Sequence, residues 1–217
     1  MSGVVERAAA KLLEDAVRRQ VNSEAVAAKT IERLADEPPT IDAERSIDGV
    51  WMASFVARAA EADEEAVREL WAKILASEIL RPGTSLRTLE RVSLMTPGEA
   101  ELAMRLFKFV MNGEFVPCWV LEGPNPVSLD ELLLLEEIGL LRRNLNWGAE
   151  AGAEFTHGGE GITAPQSMNF PIVSLTLPGR DLCRIVAGQA SDPELFRAFF
   201  VAQGAPLEKC IVRSINN

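Results

Sequence analysis

The sequence predicts a mainly α chain with a smaller α+β part: a helical bundle over residues 1–114, then an α+β module over 115–217. Three observations carry this. Apolar residues recur at spacings of three and four through the first half, the mark of helices with one buried face. From about residue 115 the pattern changes to short apolar runs broken by proline and glycine. The 217 residues are 47% hydrophobic and 25% charged, the mix of a folded chain long enough for one large domain or two small ones.

The elements follow in order. Residues 4–35 place Val5, Ala9, Leu12 and Ala16, then Ala27, Ile31 and Leu34, on helical spacing, which predicts one long helix or two in tandem. Asp36-Glu37-Pro38-Pro39 ends it, because prolines cannot continue the hydrogen-bond ladder. A second helix is expected over about 46–60, carrying Trp51 and Phe55. The third opens with Asp63 as N-cap and with Glu64 and Glu65 at the positive end of the helix dipole. Its stripe is Val67, Leu70, Trp71, Ile74 and Leu75, and Pro82-Gly83 closes it. A short fourth helix runs from about Ser85 to Val92. Thr96-Pro97-Gly98-Glu99 is a capping box with proline at the first helical position, opening a fifth.

One residue in the third helix breaks the pattern. Glu78 lies eleven positions after Val67, within about 20° of it around a 3.6-residue helix, and so on the face that Trp71 and Ile74 bury. A buried carboxylate needs a partner, and Arg87, just past the Pro-Gly turn, is the expected one, with Arg81 second. A catalytic role for Glu78 lacks a neighbouring His, Lys or second acid.

In the second part, residues 115–121 read as a short edge strand and 123–126 as a loop. Ser128-Leu129-Asp130-Glu131 is another capping box, leading a helix to Ile138 that Gly139 ends as a left-handed cap with Leu140 packing back. Leu141–Trp147 reads as a strand, 148–169 as a Gly- and Ala-rich hairpin tip, Ile172–Leu177 as a second strand, and 178–187 as a helix. Helix, strand, long tip, strand, helix is the order of a winged-helix-like module.

The function classes narrow by charge. There are 22 Lys+Arg against 32 Asp+Glu, a net charge of −10 shared by both halves, which argues against phosphate backbones and anionic lipid as partners. If helix 128–138 lay in a DNA groove, its Asp130, Glu131, Glu136 and Glu137 would repel phosphates, and Arg142 and Arg143 are too few to reverse this. The only histidine, His157, stands between Glu154 and Glu160 on the tip, and one imidazole there argues against a metal. No phosphate-binding glycine loop and no nucleophile motif occurs. Three scattered cysteines argue for buried thiols rather than disulfides or zinc. Charges at Glu6, Arg7 and Lys11 break any signal-peptide core, and no apolar run is long enough to span a membrane. A cytoplasmic location is expected.

The run Trp71-x-x-x-Leu75-Ala76-x-Glu78-x-x-x-Pro82-Gly83-x-Ser85-x-Arg87-Thr88-Leu89, preceded by Trp51 and Phe55, resembles the central motif of an uncharacterised bacterial domain-of-unknown-function family. The same helical block is more distantly similar to abortive-infection alpha proteins. The resemblance implies a bacterial or phage-related protein linked to phage defence, and it names no catalytic residue.

The expectation is therefore a non-catalytic interaction or regulatory protein, without cofactor or metal, with a protein partner and with a homo-oligomer left open. A winged-helix nucleic-acid binder and a cryptic enzyme or toxin are the alternatives. Trp71, Glu78, Pro82, Gly83, Ser85 and Arg87 form the structural motif. Asp130, Glu131, Glu136, Glu137, Arg142, Arg143 and His157 are the candidate interaction residues.

Overall fold

The structure, a computed structural model, describes residues 2–36, 46–118, 127–157, 160–164, 167–186 and 212–214. The chain is mainly helical, with small antiparallel sheets, and divides into two compact units, Met1–Ser93 and Leu94–Asn217. Among the described residues no helix is long and apolar enough to cross a membrane.

The first unit holds α1 (Ser2–Asp36), α2 (Gly49–Ala59), α3 (Glu65–Leu80) and α4 (Leu86–Leu94). The first segment is thus one continuous helix. It lies along α3 and also meets α2, but its apolar stripe is not what makes the contact. Val5, Leu12 and Ile31 are exposed, while Asn22, Val26 and Thr30 are buried. Spaced four apart, these three form one face, and polar groups can be buried there because each has a partner. Asn22 Nδ2 donates to the Ala60 carbonyl at 2.9 Å and to Asp63 Oδ1 at 2.8 Å, and Thr30 Oγ1 donates to the Val26 carbonyl. Around them run ion pairs of α1 with α3: Lys29 with Glu65, and Arg33 with Glu69.

Asp63 does not cap α3. The N-cap position falls at Glu64, which makes no side-chain capping bond. Asp63 is drawn instead to α1, where hydrogen bonds from Asn22 and then Arg18 hold its carboxyl below the usual range. The core of the unit is aromatic. Trp51 stacks on Phe55 with ring centroids 5.3 Å apart, and Phe55 meets Trp71 edge to face at 5.5 Å, geometries that suit the ring quadrupoles.

The second unit holds α5 (Pro97–Phe107), β1 (Phe115–Pro117), α6 (Leu129–Glu137), β2 (Leu141–Ala149), β3 (Glu154–His157), β4 (Glu160–Thr163), β5 (Met168–Leu175), α7 (Leu177–Val186) and β6 (Val212–Ser214). Helix α5, assigned above to the bundle, lies in this unit and packs on α6 and α7. Both capping boxes form as expected, Thr96 with Glu99 and Ser128 with Glu131. Gly139, at φ +81°, ends α6, and the Leu140 N–H returns to the Leu135 carbonyl.

Strands β1, β5 and β2 form one antiparallel sheet in that order, with Val116 opposite Val173 and Leu141 opposite Leu175. Strands β3, β4 and β6 form a second. This corrects the expectation for 148–169. The segment is not a bare tip, since β2 runs on to Ala149, β5 begins at Met168, and β3 and β4 pair between them. Phe155 explains the order. It is fully buried against Phe115 and Phe170, with centroids 6.2 and 6.3 Å away, and an aromatic side chain in a core holds its backbone with it.

Asn112 pins the same segment. At φ +54° it turns the chain before β1, and its Oδ1 accepts the Thr156 N–H at 2.6 Å. Its own N–H donates to the Thr156 carbonyl at 2.7 Å. Replacing Asn112 with Ala strands the Thr156 donor and leaves a left-handed backbone to a residue that resists it, so a loss of about 2 kcal/mol is expected in chemical denaturation. Asn112→Gly should recover part of that loss. Equal losses would mean that the positive φ costs nothing.

Candidate functional site

The motif residues come together at the turn between α3 and α4. Glu78 sits on the last turn of α3 with only 6% of its surface exposed. Its carboxylate does not meet Arg87. It accepts the Thr84 N–H at 2.8 Å and the Gly83 N–H at 3.2 Å. Gly83 stands at φ +140°, a conformation open to glycine alone, and this aims two successive N–H groups back at the helix. From the other side Trp51 Nε1–H donates to the Thr84 carbonyl at 2.8 Å. Ser85 then starts α4, its Oγ accepting the Thr88 N–H at 3.2 Å.

Thus Trp51, Glu78, Gly83, Thr84 and Ser85 form a clamp on the turn, Trp71 lies in the aromatic core beneath, and Pro82 is exposed. Arg87 is exposed and outside the clamp. The pairing inferred from charge fails because the backbone donors of the turn, five and six residues on, reach the carboxylate first. Replacing Arg87 with Ala should accordingly change stability by less than about 0.5 kcal/mol. A thermal melt showing a loss several times larger would reinstate the ion pair.

A shallow cleft of about 390 Å³ opens beside this turn, lined by Ser46, Ile47 and the run from Glu78 to Pro82. Glu78 holds two N–H groups there, which ties its carboxylate to the turn. Among the described residues no three His, Cys, Asp or Glu side chains gather as a metal site would require.

The second set of predicted residues lies on and beside α6. Glu131 belongs to the capping box and also pairs with Arg105 of α5. The Ser128 N–H first, and Arg105 with it, hold its carboxyl below the usual range. Glu136 pairs with Arg143 at the start of β2 at 2.6 Å. Two of the four acids and one of the two arginines are therefore spent inside the unit. Asp130, Glu137 and Arg142 stay exposed. Beside Asp130 and Glu137 stand Leu129, Leu133 and Leu134, exposed at 62%, 38% and 37%. At 100° per residue, positions 129, 133, 137, 130 and 134 occupy one continuous outer face, made of three leucines and two acids. His157 ends β3 opposite Glu160, and its side chain lies outside the described atoms.

Sequence reasoning missed Thr84, whose contribution is its backbone, and Asn22, whose partners are 38 and 41 residues away. It also missed Asn112, although Asn112-Gly113 is a turn dipeptide that marks the bend. The model of the family described as "Protein of unknown function (DUF2806)" matches residues 6–121, more than half of the chain.

The chain belongs to the DUF2806 family.

No curated protein and no solved structure matches it. The DUF2806 match takes in all of α1 to α5 except the first residues of α1, together with the clamped turn and β1. The leucine–acid face of α6 lies beyond it.

Cys183 in α7 bears on the chemistry open to the second unit. Burial pushes its thiol up to about 11, so at pH 8 almost none of it is thiolate, the reactive form. Alkylation of the native protein at that pH should leave Cys183 unlabelled in peptide mass spectra, and denaturant should make it react. Rapid native labelling would show that α7 opens.

Proposed function

We propose that this chain is a non-catalytic interaction protein whose winged-helix-like C-terminal module docks a protein partner through the outer face of α6. The observation that carries the reading is that face, on which Asp130 and Glu137 stand side by side with Leu129 and Leu133 on one side of them, Leu134 on the other, and no cation. Phosphate contacts need Lys or Arg, whereas exposed leucines flanking a pair of acids are a docking surface for an apolar segment that carries a basic residue. The winged-helix-like reading is supported by the succession of α5, β1, α6, β2 and β5 and by the sheet order β1-β5-β2. A role in phage defence is proposed on the resemblance of the helical block to abortive-infection alpha proteins.

The test uses the full chain with a photo-reactive residue at Leu133, expressed in its own host, and the same chain carrying Leu129→Glu and Leu134→Glu. A specific protein cross-link lost in the variant supports the reading. Binding to duplex DNA tighter than about 10⁻⁶ M at physiological salt, falling steeply as salt rises, overturns it.

A further inference from the structure

The first five turns of α1 carry an apolar stripe with no cover among the described residues. Val4, Val5, Leu12, Leu13, Val17 and Val21 are each 54–70% exposed, and Ala8, Ala9 and Ala16 are exposed with them. The side chains fall in pairs four apart, at 4–5, 8–9, 12–13 and 16–17, and Val21 closes the series. Residues four apart form one of the ridges of a helix, and two such ridges interdigitate when helices cross at about −50°. The buried row of the same helix, Asn22, Val26 and Thr30, is a different row.

The stripe is nearly a palindrome. From Leu12-Leu13 it reads Ala8-Ala9 and then Val4-Val5 in one direction, and Ala16-Val17 and then Gln20-Val21 in the other. We infer that α1 pairs with α1 of a second copy of this chain, antiparallel, about a twofold axis at Leu12-Leu13. That axis sets Leu12 on Leu12 and Leu13 on Leu13 of the copy, Ala8 on Ala16 and Ala9 on Val17. Contacts in which i meets j and j meets i are what an isologous interface requires, and the alanines beside the crossing let the helices approach.

The area fits as well. Val5, Leu12, Leu13 and Val17, at about 100 Å² each when fully exposed, present on the order of 300 Å² of apolar surface per copy, and Ala8, Ala9 and Ala16 add to it. A standard interface buries roughly 800 Å² per partner, a little over half of it apolar.

The experiment is sedimentation equilibrium of the full chain. A reversible dimer is expected at roughly ten micromolar. Leu12→Glu with Leu13→Glu should make it monomeric without changing its helical circular dichroism, or its melting temperature at concentrations where the native chain is itself monomeric, since both side chains are exposed in the single chain. A monomer at roughly hundred-micromolar concentrations or a dimer indifferent to the leucine changes would each overturn the inference. Neither substitution touches α6, so their outcome stands apart from that of the cross-linking test.

Discussion

Replacing Glu78 with Ala is expected to destabilise the chain by about 2–4 kcal/mol, because it strands the buried Thr84 N–H together with the more exposed Gly83 N–H, a buried orphan costing about 1–3 kcal/mol. Gly83 and Thr84 present those N–H groups to the carboxylate at 3.2 and 2.8 Å, and no other acceptor is in place for them among the described bonds. Glu78→Gln keeps one carbonyl oxygen and turns an NH₂ towards the other donor, so its cost should fall between Ala and the native residue. Chemical denaturation of the three proteins gives the order directly. The control is Arg87→Ala, expected near zero, and the Ala loss should be the same in an Arg87→Ala background, since two groups that do not interact are additive. If Arg87→Ala removed most of the effect of Glu78→Ala, the carboxylate would be held by the guanidinium and not by the turn.

Gly179→Ala should cost about 3 kcal/mol or more by overpacking. A Cβ on Gly179 would meet the Leu140 carbonyl oxygen well inside contact distance, with Leu175 Cβ at 3.4 Å on another side. Neither neighbour can yield cheaply. The Leu140 carbonyl accepts the Thr176 N–H at 3.0 Å, and Thr176 Oγ1 donates to the Gly139 carbonyl at 2.6 Å. The first turn of α7 is therefore pressed directly onto the turn that ends α6, and any retreat breaks these bonds. Gly98 in α5 provides the contrast. A Cβ there meets nothing within 4 Å, so Gly98→Ala should stabilise the chain by about 0.4–1 kcal/mol through the unfolded state. Denaturation midpoints of the two variants moving in the same direction would refute the close approach.

What could be read in advance divides by the range of the interaction. The boxes at Thr96–Glu99 and Ser128–Glu131, and the Gly139 cap, involve groups within five residues of one another, and they formed as their patterns require. The burial of Glu78 was legible too, because helical period places it beside Trp71. Its partner was not. A search among side chains finds Arg87, while the actual donors are backbone groups that no residue pattern displays. On α6 the acids were evident, but their fates were not. Arg105, 26 residues away, takes Glu131, and only the fold exposes the leucines between Asp130 and Glu137. The Gly- and Ala-rich stretch read as a hairpin tip because one phenylalanine in it, Phe155, gives no sign in sequence that it reaches the core.

By itself, then, the sequence determined the mainly helical character, the helix ends set by local capping, the acidic surface of α6 and the carboxylate on a buried helix face. The tertiary structure decided which apolar rows are covered, which charges are spent, and what satisfies Glu78. The apolar stripe of α1 marks the difference most plainly. Periodicity shows that a face is apolar, but burial depends on what the rest of the chain lays against it, and α3 lies against Asn22, Val26 and Thr30 instead. The physical reason is that capping and periodicity are set by neighbours a turn away, whereas burial and ion pairing depend on groups tens of residues apart that only the folded chain brings together.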